Sequence, residues 1–404
     1  MSSVPGANPA PAARLSLGRL SFLDGLRGIA IIQMVVNHTS RDWLERAMGW
    51  TRYYVAYGSV LFPATIFIFL VGFCLPISYR RAKARDSALV GAWKYLRRGA
   101  GIMAGGYLLN AMLALAPGPG GGFHVTMVFD DGPLWAGGVL QTIGLGVVVF
   151  GALLPLMTRV WGRWAMAAFG VLYYGAFEAM YPALIRWSAA HPVPAQILFF
   201  GFPPWPWLSA AAIGLVLGWR WLDARERGHA AEVRYFRVVA LIGVACVVAY
   251  FAWQLARDVD ADRMSRAAEI GIDAATIKTA EIRFGFRTDF LLNHKWTPRG
   301  MTAVLVAGVV GLLLAGTYYV MEIKNVSMPW LVVLGQTALM LYFVHQVIEA
   351  TILGKFLGLR FTNWPLYWLT NVVFVVGLVY LGKAWLEVKR LTKFRAVGRA
   401  TVPS

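Results

Sequence analysis

Residues 22–40 read FLDGLRGIAIIQMVVNHTS, apolar enough to cross a bilayer yet carrying Asp24, Arg27, Asn37 and His38. Ionisable side chains at membrane depth are costly and are kept for a pathway or a site. Asp24 precedes Arg27 by three residues and Arg27 precedes His38 by eleven, about three turns at ~100° per residue. The three side chains therefore share one side of a helix. At ~1.5 Å of rise per residue, Arg27 and His38 stand about 16 Å apart along the axis, roughly half of a ~30 Å hydrocarbon core. The spacing predicts a charged pair near one membrane face and an imidazole well across from it.

Composition agrees with a membrane setting. Of 404 residues, 58% are hydrophobic and 14% charged, and the mean hydropathy is +0.58, which excludes an ordinary soluble domain. The 17 Trp and 16 Tyr suit interfacial belts. A net charge of +18 reads as basic loops facing anionic lipid, not as a nucleic-acid surface. Cys74 and Cys246 both lie in apolar runs, so they read as packed thiols, with neither a disulfide framework nor a metal site.

Hydropathy predicts an all-α, polytopic membrane bundle of about ten transmembrane helices, at 22–40, 59–79, 99–116, 135–157, 164–184, 197–218, 237–256, 300–322, 330–352 and 365–385. Residues 1–20 read as a disordered cytoplasmic arm, since Asp24 and Arg27 interrupt what would be the apolar core of a signal peptide. Residues 21–386 form one membrane domain and 387–404 a basic tail. Lys and Arg concentrate in RRAKAR (80–85), KYLRR (94–98), the 220–237 segment and KRLTKFRAVGR (389–399). The short loops on the other side hold only Arg41, Arg46, Arg52, Arg186, Lys355 and Arg360. By the positive-inside rule both termini are cytoplasmic. The long outer loop 257–299 has eight basic and seven acidic residues and contains a stretch with helical periodicity, suited to lying on the outer surface or capping an acceptor site.

Several residues are candidates for chemistry. His38 is either a satisfied core histidine or a proton-abstracting base. Arg27 either binds an anion such as phosphate, as guanidinium geometry favours, or is paired one turn away with Asp24 to hold the helix. In the cluster Arg80, Arg81, Lys83, Arg85, Lys94, Arg97 and Arg98, topology accounts for most of the charge. Arg97 and Arg98, opening the third span, are the candidates to turn inward toward phosphate. The outer loop PGPGGGFHVTMVFDDGP (117–133) offers His124, Asp130 and Asp131 to a sugar or amino acceptor, or is an ordinary turn. Glu178, His345 and Glu349 are further intramembrane polar groups, His345 either assisting the site or tying helices together. No P-loop, dinucleotide fingerprint, HExxH or GxSxG occurs.

Taken together, LDGLRGIAIIQMVVNH (23–38), LFPATIFIFLVGF (61–73), GVLQTIGL (138–145) and LGQTALMLYFVHQVI (334–348) resemble the transmembrane acyltransferases, the superfamily of acyltransferase family 3 O-acetylases and heparan-alpha-glucosaminide N-acetyltransferases. The first helix fits the O-acetylase pattern of an Arg, ten residues and a His; the other three stretches are more similar to the heparan-glucosaminide branch. The resemblance implies ten or eleven spans, a cytosolic acyl-CoA donor (acetyl-CoA above all), no metal, and transfer to an extracytoplasmic glycan or related acceptor from a bacterial inner membrane. It places the catalytic His on His38 and the helix-one Arg on Arg27, with Asp24 fixing Arg27. It also places Arg97 or Arg98 near the donor phosphates, to which our own reading of the residues adds Arg27, with Asn37, His124, Asp130, Asp131 and His345 as candidates on the acceptor side. Heparan-glucosaminide members carry their active His in the loop before the FP motif. RDWLERAMGWTRYYVAYG (41–58) has no His, so N- and O-acylation both stay open. The alternative from another class is a secondary transporter or flippase using Asp24, Arg27, His38 and Glu178 as coupling groups.

Overall fold

A computed structural model describes residues 19–45, 49–83, 88–118, 123–125, 128–129, 132–198, 202–256 and 300–400. Most of the 1–20 arm and the whole of 257–299 lie outside the described residues. Apolar chains in lipid must satisfy their backbone groups internally, which selects helices. Among the described residues the chain is accordingly all-α apart from two small two-stranded sheets.

The helices are α1 (Ser21–Asp42), α2 (Gly49–Lys83), α3 (Ala88–Leu113), α4 (Val139–Leu153), α5 (Val160–Ala190), α6 (Pro192–Leu198), α7 (Pro204–Glu226), α8 (His229–Ala256), α9 (Met301–Tyr318), α10 (Pro329–Gln336), α11 (Ala338–Gln346) and α12 (Trp364–Ala400). Two π-helical stretches, Tyr319–Ile323 and Val347–Phe356, prolong α9 and α11. By length and apolarity, five stretches among the described residues can cross a membrane: Phe62–Arg81, His229–Trp253, Met301–Ile323, Ala338–Phe356 and Trp364–Thr392. The chain is thus a multi-pass membrane protein.

Boundaries differ from the hydropathy reading at several helices: α2 and α3 begin at Gly49 and Ala88, about ten residues before the expected spans, and three further differences bear on the site. The expected 330–352 span is interrupted at Thr337, whose φ of −106° and ψ of 9° separate α10 from α11. The 197–218 span begins instead at Pro204, with Pro203 as its N-cap. The last helix runs on to Ala400, because nothing in the basic tail stops a helix once apolarity ends.

α1 sits at the centre, packed against α2, α9, α10, α11 and α12, with Phe22, Leu26, Ala30, Ile31 and Val35 fully buried. Lipid-immersed helices gain little from apolar contact alone and associate where small residues admit close backbone approach. The seam between α1 and α10 shows this: a Cβ on Gly335 would lie 1.7 Å from the Asp24 carbonyl oxygen, and one on Gly28 would lie 2.3 Å from that of Leu331. α2 and α7 meet the same way through Gly72, Gly214 and Gly218. Outward faces of α8 and α12 present Leu241, Val248, Leu255, Val373 and Tyr380, as lipid contact requires.

Candidate active site

The two ends of α1 carry different chemistry. At its first turn Arg27 Nη1 donates to Asp24 Oδ1 (2.8 Å) and Arg19 Nε donates to Asp24 Oδ2 (3.0 Å). Arg27 Nη2 donates to Cys74 Sγ of α2 at 3.0 Å. The pairing of Arg27 with Asp24 and its availability to an anion are therefore not exclusive. The same guanidinium lines a cavity of about 310 Å³ between α1, α2, α3, α4, α10 and α11, within the ~300–1,000 Å³ of small-molecule sites. Arg19 and Arg98 also line it, with Ser78 and Gln336 adding neutral polar groups. Cys74, read from the sequence as a packed thiol, is a wall of this cavity.

The basic cluster divides by side-chain direction. Both Arg97 and Arg98 are exposed, but only Arg98 is among the residues lining the cavity. Arg80 is engaged by Asp223 (3.6 Å) and Glu226 on α7, and Arg163 pairs with Asp223 as well. That part of the cluster ties helix ends together.

At the other end, the last turn of α1 brings His38 against α11 and its π-helical continuation. His38 Nδ1 lies 3.5 Å from Glu349 Oε1, and Gln346 Nε2 lies 3.5 Å from His38 Nε2. The rings of His38 and His345 are 5.3 Å apart at 49°. His345 and Glu349 are fully buried. His345 Nδ1 sits 2.7 Å from the Leu341 carbonyl oxygen. A carbonyl only accepts, so Nδ1 carries the hydrogen. The Nε2 of His345 is buried without a hydrogen-bond partner among the described residues.

Neighbours hold this end of α1 in place. Thr39 Oγ1 donates to Asn371 Oδ1 (2.7 Å), and the Tyr367 hydroxyl donates to the Val36 carbonyl (3.2 Å). Trp43 Nε1 donates to the Glu349 backbone carbonyl at 3.1 Å, fixing the carboxylate's own backbone. Asn37 is buried beside His38, and its carbonyl accepts from Ser40 Oγ at 2.8 Å.

Tyr342 connects the two ends. It lines the Arg27 cavity, and its ring packs 6.0 Å from His345. His38 is not among the residues lining the cavity. Tyr342 and Phe67, with rings 6.5 Å apart and nearly perpendicular, both line the cavity.

Other candidates fall elsewhere. His124 lies on a short strand (Phe123–Val125) paired with Leu115–Pro117, and Asp130 and Asp131 lie outside the described residues. Glu178 accepts from the Tyr174 hydroxyl (2.6 Å) and the Gly300 backbone N–H (2.8 Å), anchoring α5 to the start of α9 away from His38. Gln346 and Tyr342 were not singled out in the sequence. Their signal was a second cluster of intramembrane polar residues on the strand-free stretch 342–349, facing the first.

The catalytic model of the heparan-alpha-glucosaminide N-acetyltransferases matches residues 19–255, more than half of the chain. The chain belongs to this family. Membership makes it a membrane acetyltransferase by descent, and the matched segment holds α1, the Arg27 cavity walls on α2, α3 and α4, and His38 itself. The partners of His38 on α11 lie beyond the match. No curated protein matches the chain.

Proposed function

We propose that the protein transfers an acyl group, acetyl in keeping with the family, from cytosolic acyl-CoA to a hydroxyl or amine of an extracytoplasmic glycan or related acceptor. The observation that carries the reading is the placement of two polar sites on one face of α1: a cation-lined cavity around Arg27, and His38 between Glu349 and Gln346. A family membership in acetyl transfer also weighs against the transporter alternative.

Acyl-CoA supplies the acyl group already activated as a thioester. The cavity suits it by charge, with Arg19, Arg27 and Arg98 available to phosphate oxygens and apolar lining such as Phe67, Leu70 and Ile143 for the rest of the donor. In this reading Phe67 and Tyr342 swing aside to admit the thioester end. His38 Nε2 accepts the proton from the acceptor's O–H or N–H as the new bond to the acyl carbon forms. As the carbon–sulfur bond breaks, the same imidazole returns that proton to the departing sulfur, so protons balance over the cycle. The Glu349 carboxylate, with Oε1 3.5 Å from His38 Nδ1, places negative charge on that side of the ring, which leaves Nε2 as the base and stabilises the imidazolium while it lasts. His345, its hydrogen held on Nδ1 by Leu341, presents a second acceptor nitrogen beside the reacting group. Nucleophilic attack by His38 itself, with a transient acyl-imidazole, uses the same residues.

The test is acetyl-CoA turnover by the purified protein in nanodiscs, with amino-sugar and hydroxyl-bearing oligosaccharides as acceptors. His38→Ala is expected to lower transfer by at least ~100-fold while acetyl-CoA still raises the melting temperature. Arg98→Gln is expected to raise the donor KM with kcat nearly unchanged. Full transfer by a folded His38→Ala protein overturns the scheme.

A further inference from the structure

On the face of α2 opposite the Arg27 cavity lies a second space, about 530 Å³ and almost wholly apolar. Thr65 and Phe69 of α2 form its floor, α7 and α9 its sides, and it opens between α5 and α8. α8 offers Ile242, Gly243 and Cys246 to it, and Ile242 is 59% exposed, so the space is a groove open to the side of the bundle, not a sealed core void. Nothing in the catalytic scheme uses it.

Beyond its inner end lie exposed arginines. Leu217 lines the groove, and the Tyr235 hydroxyl donates to the Leu217 carbonyl at 3.0 Å, which sets the first turns of α8 level with that point of α7. Arg220 follows Leu217 by one turn, is exposed, and lies over Trp164 of α5 with its guanidinium carbon 5.5 Å from the ring centre. Arg234, adjacent to Tyr235, is exposed too. Among the described residues neither arginine has an ion-pair partner. Asp223, Glu226 and Glu232, the nearby carboxylates, are taken by Arg80, Arg163 and Arg225. An exposed guanidinium on α7, seated over Trp164, and a second exposed arginine on the facing first turns of α8 thus lie beyond this end of the apolar slot.

We infer that the groove binds an anionic phospholipid of the leaflet at the α7–α8 turn, with an acyl chain lying between α5 and α8 and the headgroup phosphate on Arg220 and Arg234. Apolar length below a guanidinium pair at the membrane surface matches an anionic phospholipid. A neutral lipid would fill the slot and leave the arginines unanswered. The site is separated from the donor cavity by α2, so it is a structural lipid site independent of turnover.

Native mass spectrometry of the delipidated full-length protein tests this, titrating phosphatidylglycerol and phosphatidylcholine with identical acyl chains. Phosphatidylglycerol is expected to bind at least tenfold more tightly, with the preference shrinking as salt is raised. The pair Arg220→Gln and Arg234→Gln is expected to remove that preference, about fivefold for each arginine, and to leave phosphatidylcholine binding unchanged. Ala307→Phe, which fills the groove from α9, is expected to abolish retention of both lipids at this site. Equal affinity for the two lipids in the unaltered protein overturns the proposal, as does an undiminished preference in the double arginine variant. Since Arg220 and Arg234 are surface residues, that variant decides the matter even if Ala307→Phe fails to fold.

Discussion

Glu349 shows how a single carboxylate divides positioning from binding. It is fully buried 3.5 Å from the His38 ring, and its backbone is fastened by Trp43. Replacing it with Gln keeps the volume and removes the charge that favours the imidazolium. For Glu349→Gln we expect kcat to fall ~10–100-fold with both KM values little changed, because the carboxylate acts on the imidazole and not on either substrate. A simple structural role would instead lower folded yield and leave the kcat of the folded fraction unmoved. Much of this site was legible beforehand. The eleven-residue spacing put Arg27 and His38 on one side of α1, and both face protein interior. Arg97 and Arg98 were not separable by composition, because 100° of helix rotation decides which one meets the cavity. Cys74 looked like any small core residue, since only the fold reveals that Arg27 points at it.

At the scale of elements, the seam between α1 and α10 bears most on the site, because it sets the height and rotation of the helix that carries both ends. The Gly335 Cα passes so near the Asp24 carbonyl that an added methyl group has no room without moving one helix. Gly335→Ala is therefore expected to lower the melting temperature by several degrees, consistent with the ~1–3 kcal/mol of an overpacked interface. It is also expected to weaken donor binding, since Asp24 orients Arg27. A thermal melt with and without acetyl-CoA checks both effects. Hydropathy located α1, α2 and the other apolar helices because lipid demands long apolar runs. It missed the break at Thr337 and the π-helical stretch after Gln346, where hydropathy hardly changes and only backbone hydrogen bonding does. That irregular stretch, of a kind common at functional sites, is what presents Glu349 to His38.

Across the whole molecule, the candidate site is shared between two parts of the chain far apart in sequence. α1 supplies His38 and Arg27, while α11 and its continuation supply Gln346, Glu349 and His345. The two parts adhere through α1 with α10 and through Gly243 of α8 with Gly308 of α9. Cutting the gene so that residues 1–256 and 300–404 are made as separate polypeptides leaves each fragment with an incomplete catalytic set. Neither piece is expected to acetylate anything by itself, whereas co-expression is expected to restore turnover, measurable as acetyl-CoA consumption in mixed membranes. Reconstitution of that kind would make this enzyme a two-component reporter, whose signal appears only when its halves meet in the same bilayer.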